Sequence, residues 1–304
     1  MHLGNGIICP ITGIPMLAIA GVSAIWALKK ARKDFKKENI PQAAALTAFV
    51  FALQMINFTI PSTGSSGHII GAVLLSALLG PYAAFLAMCA ILTVQAVFFA
   101  DGGLMALGCN IFNMGFLACF VVYPLVYKPL VVDNKKYALG AFLSSVAALQ
   151  LGSVAVVAEA YLSGSITSNI ASFAALMQGI HLAIGAAEGL FTAAVVYAVM
   201  NGKIRQSILT SVFSVSALVI GAFLAQYASQ KPDGLEWSLL KMSDSMVMQT
   251  QGILYSISES IQAKTAVLAQ IQPIAANISG IIITALLMAA VGYMLSYKTV
   301  EIYE

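Results

Sequence analysis

Charge is scarce in this chain. Lys, Arg, Asp and Glu make up only 9% of its 304 residues, while 60% are hydrophobic. A soluble domain carries roughly 25% charged residues, so a surface this poor in charge cannot mostly face water. Histidine occurs three times, and the four cysteines (Cys9, Cys89, Cys109 and Cys119) form no C-x-x-C pair. Three of those thiols lie in or beside apolar runs and read as buried free cysteines. Cys9, near the N-terminus, is the weaker candidate for metal contact. No G-x-x-x-x-G-K-[ST] phosphate loop is present, so the chain does not itself hydrolyse ATP by that route. No H-E-x-x-H or serine-nucleophile motif points to an intramembrane hydrolase. Nothing suggests nucleic-acid binding, and no cofactor is expected.

What the chain has in abundance is long apolar stretches, in line with a mean hydropathy of +0.90. They recur at the roughly 20-residue length that crosses a bilayer as a helix. Backbone groups in lipid must be satisfied within the segment, and β-barrel alternation is absent, so the reading is an all-α, polytopic membrane protein. The runs cover about residues 12–28, 41–58, 69–100, 104–126, 137–162, 170–200, 208–227 and 274–295. The third is too long for one ordinary span, and Gly80-Pro81 divides it into a short helix enclosed by its neighbours and a fuller one. About nine helices result.

The positive-inside rule tests this parity. With the N-terminus outside and Gly80-Pro81 a real break, twelve basic residues fall inside: Lys29, Lys30, Arg32, Lys33, Lys36, Lys37, Lys128, Lys135, Lys136, Lys203, Arg205 and Lys298. Only Lys231, Lys241 and Lys264 fall outside. Reading residues 69–100 as one span reverses every later loop and spoils the pattern. The basic cluster follows the first run instead of preceding it, so that run reads as a retained helix and not a cleaved signal. The C-terminus is then cytoplasmic. The long polar stretch from Ser229 to Pro273 lies outside; there Leu239, Met242, Met246, Ile253, Ile257, Ile261 and Leu268 recur at helical spacing. That helix either docks on a partner or the membrane surface, or simply packs.

This topology brings Met1-His2 and His68 to the same outer face. The Met1 amine, the His2 amide nitrogen and the His2 imidazole can close two fused chelate rings, a donor set suited to Cu(II) and Ni(II) in planar nitrogen sites. His68 can supply a fourth nitrogen, and Gly64 and Gly67 permit close approach of the N-terminal segment. Taken singly, each histidine also has a bland reading: an idle terminal residue for His2, a structural hydrogen bond for His68. His181 and Glu188 stand seven residues apart on one helical face inside a span. They are either part of a metal route or a buried pair that fixes packing. Asn110 and Asn113 either orient a metal-bound histidine or bond structurally across helices. Glu159, near the outer end of its span, reads as interfacial.

Several motifs in order resemble one family. They are Met1-His2, then Ser65-Ser66-Gly67-His68-Ile69-Ile70-Gly71-Ala72, Leu79-Gly80-Pro81-Tyr82, Phe99-Ala100-Asp101-Gly102-Gly103-Leu104, Gly108-Cys109-Asn110-Ile111-Phe112-Asn113-Met114 and Glu188-Gly189-Leu190-Phe191-Thr192. Together they are similar to the cobalt/nickel substrate-binding (S) components of energy-coupling factor transporters, the CbiM/NikM family. The opening Met1-His2-Leu3-Gly4-Asn5-Gly6 departs from the family's Met-His-Ile-Pro-Asp-Gly, which alters the loop's rigidity and charge but leaves the His2 chelate untouched. Pro232-Asp233-Gly234-Leu235-Glu236 resembles the PDGLE signature of the family's small accessory subunit. The resemblance implies residues 1–200 as a metal-binding component of about seven helices. It implies residues 201–304 as a fused accessory module, with two helices flanking an extracytoplasmic loop. It also implies capture of Ni(II) or Co(II) through Met1, His2 and His68 at the face of a prokaryotic cell membrane. The partners implied are a transmembrane coupling subunit and two cytoplasmic ATPase subunits. The alternatives are a self-sufficient secondary carrier or channel that uses His181 and Glu188 as a relay, and a membrane-bound metal sensor.

Overall fold

The structure is a computed structural model that describes residues 1–132, 136–202, 204–242 and 246–297. Lys135, Lys203 and Lys298, counted above among the inward-facing cations, lie outside these residues. All eight apolar runs form helices, the third as two: α1 (Pro10–Ala31), α2 (Ile40–Gln54), α3 (Ala72–Leu79), α4 (Pro81–Phe99), α5 (Leu107–Leu130), α6 (Tyr137–Leu162), α7 (Ile170–Asn201), α8 (Gln206–Ala222) and, at the C-terminal end, α11 (Pro273–Ser296). The outer polar stretch contributes α9 (Gly234–Lys241) and α10 (Ile253–Thr265). Six helices among the described residues are long and apolar enough to cross a membrane; α8 is shorter, and α2 and α3 have 15 and 8 residues. The chain is thus a polytopic helical protein, and helix length alone does not establish nine complete crossings.

Proline sets several helix starts. It occupies the first turn of α1, α2, α4 and α11, where its missing N–H is not needed and its fixed φ already suits the helix. Pro124 lies inside α5. There the stretch Phe112–Tyr127 widens to π-helical winding, one of the ways a helix absorbs a lost backbone bond. Between α3 and α4 the chain turns at Gly80, whose φ of 78° is the left-handed geometry that glycine adopts without strain. Val73, Leu74 and Leu75 of α3 are fully enclosed, as its length led us to expect.

Small residues let the spans approach closely. Gly185 and Gly189 of α7 face α6, where a Cβ at Gly189 would stand 2.9 Å from the Phe142 carbonyl oxygen. Gly108 of α5 lies directly on the Leu17 backbone of α1. The outer rim is apolar: Ile11, Val22 and Ile25 of α1 are exposed, as lipid-facing side chains should be.

The two ends of the bundle differ in chemistry. At one end, Arg32, Lys33, Lys36 and Lys37 border a recess with Leu295 and Tyr297 at the end of α11. At the other end gather the first nine residues, the short hairpin of β1 (Phe58–Thr59) and β2 (Ser66–Gly67), the Asp101–Gly103 turn and the outer stretch with α9 and α10. The positive-inside rule assigns the basic end to the cytoplasm. In α10 the helical periodicity is realised, but its polar side turns inward: Tyr255 and Gln262 are buried, whereas Ile253, Ile257 and Ile261 are exposed.

Candidate metal centre

The first residues form a plug in the outer end of the bundle. Met1, Leu3 and Ile8 are 4%, 0% and 1% exposed. Their backbone is held from several sides. The Asn110 side chain accepts from the Leu3 amide at 2.8 Å and donates to the Leu3 carbonyl at 3.1 Å, and the Gly103 amide donates to the same carbonyl at 2.9 Å. Ser165 donates to the Ile7 carbonyl, and the Gln249 amide donates to that of Gly6. The Met1 side chain fills the notch at Gly152, where a Cβ would stand 2.9 Å from its methyl carbon.

This plug carries His2 onto His68. The two rings stack with centroids 5.0 Å apart and an interplanar angle of 28°. They border a cleft of about 390 Å³ together with Gln54, Asp101 and Asp233. The N-terminal ammonium meets the Asp233 carboxylate at 3.1 Å. Asp233 also caps α9, accepting from the Glu236 amide at 2.8 Å. The adjoining residues are bolted to the His68 segment: the Ser66 amide donates to the Pro232 carbonyl at 2.8 Å and the Ser66 hydroxyl to the Lys231 carbonyl at 2.7 Å. One short segment of the C-terminal module therefore holds both the chain's amine and the loop that carries the second imidazole.

Electrostatics here favour neutral, donor-ready rings. Burial, then the nearby N-terminal amine, lowers the His2 pKa from 6.5 to about 4, against partial opposition from Asp233 and Gln95. Burial, the amine and His2 lower that of His68 to about 3. Burial works to raise Asp233, but the ammonium and the Glu236 amide outweigh it and hold that carboxyl well below the usual range. The His68 Nε2 is buried without a hydrogen-bond partner. Among the described residues no three His, Cys, Asp or Glu side chains converge as a metal group.

The other residues singled out from sequence lie around this cleft in different roles. His181 is buried, and its Nδ1 lies 2.8 Å from the Met177 carbonyl. The Glu188 carboxylate accepts from the Ile70 and Gly71 amides at 2.8 and 3.0 Å, which secures the start of α3. His181 and Glu188 therefore bond to different partners. Asn113 donates to Glu159 at 2.6 Å. Glu159 is 5% exposed, so its interfacial reading is corrected: the asparagine on the neighbouring helix draws it inward. Cys9 contacts the Thr12 hydroxyl. The sequence reading overlooked Asp233 and the glutamines Gln54 and Gln95. The glutamines carried a usable signal, since an amide inside an apolar run is costly unless bonded.

A helical membrane bundle whose outer end carries a cleft bordered by two stacked imidazoles and the N-terminal segment is the framework of a membrane protein that handles a transition-metal ion. The family described as the cobalt uptake substrate-specific transmembrane region matches residues 2–208, and the chain belongs to it. The PDGLE domain matches residues 207–297. A Haloquadratum walsbyi protein named for metal transport is 31% identical over 195 residues, which is 64% of this chain and 88% of that one. The fused nickel transport protein NikMN of Rhodobacter capsulatus is 31% identical over 52% of this chain, and the match spans 46% of that relative's length. The crystal structure of a truncated transition metal transporter superposes with a TM-score of 0.60 at 31% identity, covering 66% of this chain and 99% of that one.

Proposed function

We propose that this chain is the substrate-specific subunit of an ATP-driven importer, and that it captures Ni(II) or Co(II) at its outer face. The donors are the Met1 amine, the His2 amide nitrogen and Nδ1, and the His68 imidazole. Amine and amide nitrogen close a five-membered ring on the metal, and amide nitrogen and Nδ1 close a six-membered one. The observation that carries this reading is the His2–His68 stack at 5.0 Å beside a buried N-terminal amine. A donor set at this place draws on main-chain nitrogen as well as on side chains. The carrier that would relay the ion through His181 and Glu188 receives no support, since both Glu188 oxygens are engaged by the α3 amides. A transmembrane coupling subunit and two ATPase subunits complete the importer. The test is nickel uptake into proteoliposomes. ATP-dependent accumulation is expected only when the coupling and ATPase subunits accompany this chain; uptake by the chain alone would contradict the reading.

The pH dependence of binding separates this donor set from two imidazoles acting alone. Both rings titrate below the ordinary 6.5, so they contribute full stability above that value and lose it as pH falls toward 4 and 3. Above about pH 5 a pair of neutral imidazoles would bind metal with little pH dependence. The amide donor must always shed its proton, so affinity is expected to fall about tenfold or more for each unit of acidification between pH 8 and pH 6. Chelator competition across that range measures it, and a flat profile would remove the amide from the donor set.

A further inference from the structure

A chain of buried amides runs from the backbone to His2. The Gln54 Nε2 donates to the Ile70 carbonyl at 2.7 Å. The Gln95 Nε2 donates to the Gln54 Oε1 at 2.9 Å. The Gln95 Oε1 then lies 3.2 Å from the His2 Nε2. Gln54 and Gln95 are 3% and 0% exposed, so the links between the amides are shielded from water, and the last step, to the half-buried His2, is partly so.

The chain has a direction. A carbonyl oxygen only accepts, so Ile70 obliges Gln54 to present its NH₂ there and its oxygen to Gln95. Gln95 must then offer its NH₂ to Gln54 and its oxygen to His2. Flipping either amide would bring donor against donor or acceptor against acceptor in a dry interior, where an unmade bond is not replaced by water. The imidazole thus meets an acceptor at Nε2 and must carry its proton there. Nδ1 keeps its lone pair; the nearest carboxylate oxygen, on Asp101, is 3.7 Å away, too far for a hydrogen bond.

We infer that Gln54 and Gln95 are positioning residues that set the tautomer and ring orientation of His2, so that Nδ1 faces the ion. The inference deepens the donor set proposed above and rests on it. Nδ1 is the only ring nitrogen that can close the six-membered chelate with the His2 amide. A hydrogen-bond partner on the other ring nitrogen is the usual means of fixing a metal-binding histidine. The same chain reaches toward His68. Ile70 lies two residues beyond it, and its amide is held by Glu188 at 2.8 Å. The relay therefore ties the orientation of the first imidazole to the segment that carries the second. Gln95 also opens the π-helical turn Gln95–Phe99 at the end of α4, and its carbonyl accepts from the Asp101 amide at 3.1 Å. Such local unwinding is frequent at functional sites.

The test combines spectroscopy with titration of Ni(II) on the full chain. In the metal-free, ¹⁵N-histidine-labelled parent protein above pH 7, His2 is expected to show a protonated Nε2 and an unprotonated Nδ1. Protonation at Nδ1 instead would overturn the inference, and this measurement needs no variant that folds. Gln95→Leu should weaken nickel binding by about 10–100-fold and abolish the Nε2–H preference. Gln95→Glu can rebuild the relay as the neutral acid, its O–H donating to the Gln54 Oε1 and its carbonyl oxygen accepting from His2, and in that form should recover most of the loss. Parent-like affinity and an unchanged spectrum in Gln95→Leu would refute the relay. If His2→Ala abolishes binding while Gln95→Leu does not, the relay fails and the donor set stands. If His2→Ala itself binds like the parent, the donor set has failed.

Discussion

Replacing His68 with alanine is expected to abolish tight nickel binding and leave the chain folded. The loss should exceed the roughly 10–100-fold that removal of an outer hydrogen-bond partner costs a metal site, because a donor itself is gone. The fold should tolerate the change for a specific reason. His68 is buried at 6% exposure, yet its Nε2 has no partner and its Nδ1 is 3.5 Å from the Ile69 carbonyl. A side chain that leaves a buried polar atom unsatisfied contributes little to stability, since such an atom costs about 1–3 kcal/mol. His2→Ala should lose binding to the same degree. Equilibrium dialysis gives the affinity and thermal unfolding in detergent gives the stability. Parent-like affinity in both variants would reject the donor set.

Extending the chain before Met1 should have an equally large effect. An added residue converts the amine into an amide and removes a donor. It also breaks the pair between the amine and Asp233, whose side-chain exposures are 1% and 13%. Breaking a buried ion pair from one side costs about 3–5 kcal/mol, because the remaining charge is left unpaired. Two readouts should therefore move together: nickel affinity falls, and the N-terminal plug loosens, seen as faster amide exchange at Leu3. Leu3 is a sensitive reporter because Asn110 accepts from its amide at 2.8 Å. The same extension placed after Glu304 should change neither. Unaltered binding by a protein with a blocked first amine would count decisively against the chelate.

The helices were legible because each apolar run is long and its neighbours differ from it in composition. The Gly80-Pro81 break could be read because those two residues end helices for local reasons. The outer position of His2 and His68 followed from charge counting. The partner of the amine was hidden. Asp233 is 232 residues from Met1, and no local pattern links a terminal amine to a helix cap. The glutamines were missed for another reason. Gln54 and Gln95 belong to no recognisable motif and betray themselves only by standing inside apolar runs. Glu159 was misplaced because position along a helix says nothing about rotation around it. Asn113, on the facing helix, donates to that carboxyl where it turns inward. The α10 periodicity was real, but the buried side is the polar one, because Gln262 there bonds to the Ala96 and Gly102 carbonyls and to Asn5.

The most direct measurement is an anomalous difference map, collected at the nickel absorption edge, from crystals of the full chain grown with the metal and an unblocked N-terminus. A single strong peak is expected at the outer end of the bundle, bounded by the Met1 amine, the His2 amide and Nδ1, and the His68 ring. A peak centred on His181, on Cys9, or among Arg32, Lys33 and Lys36 at the opposite end would contradict it.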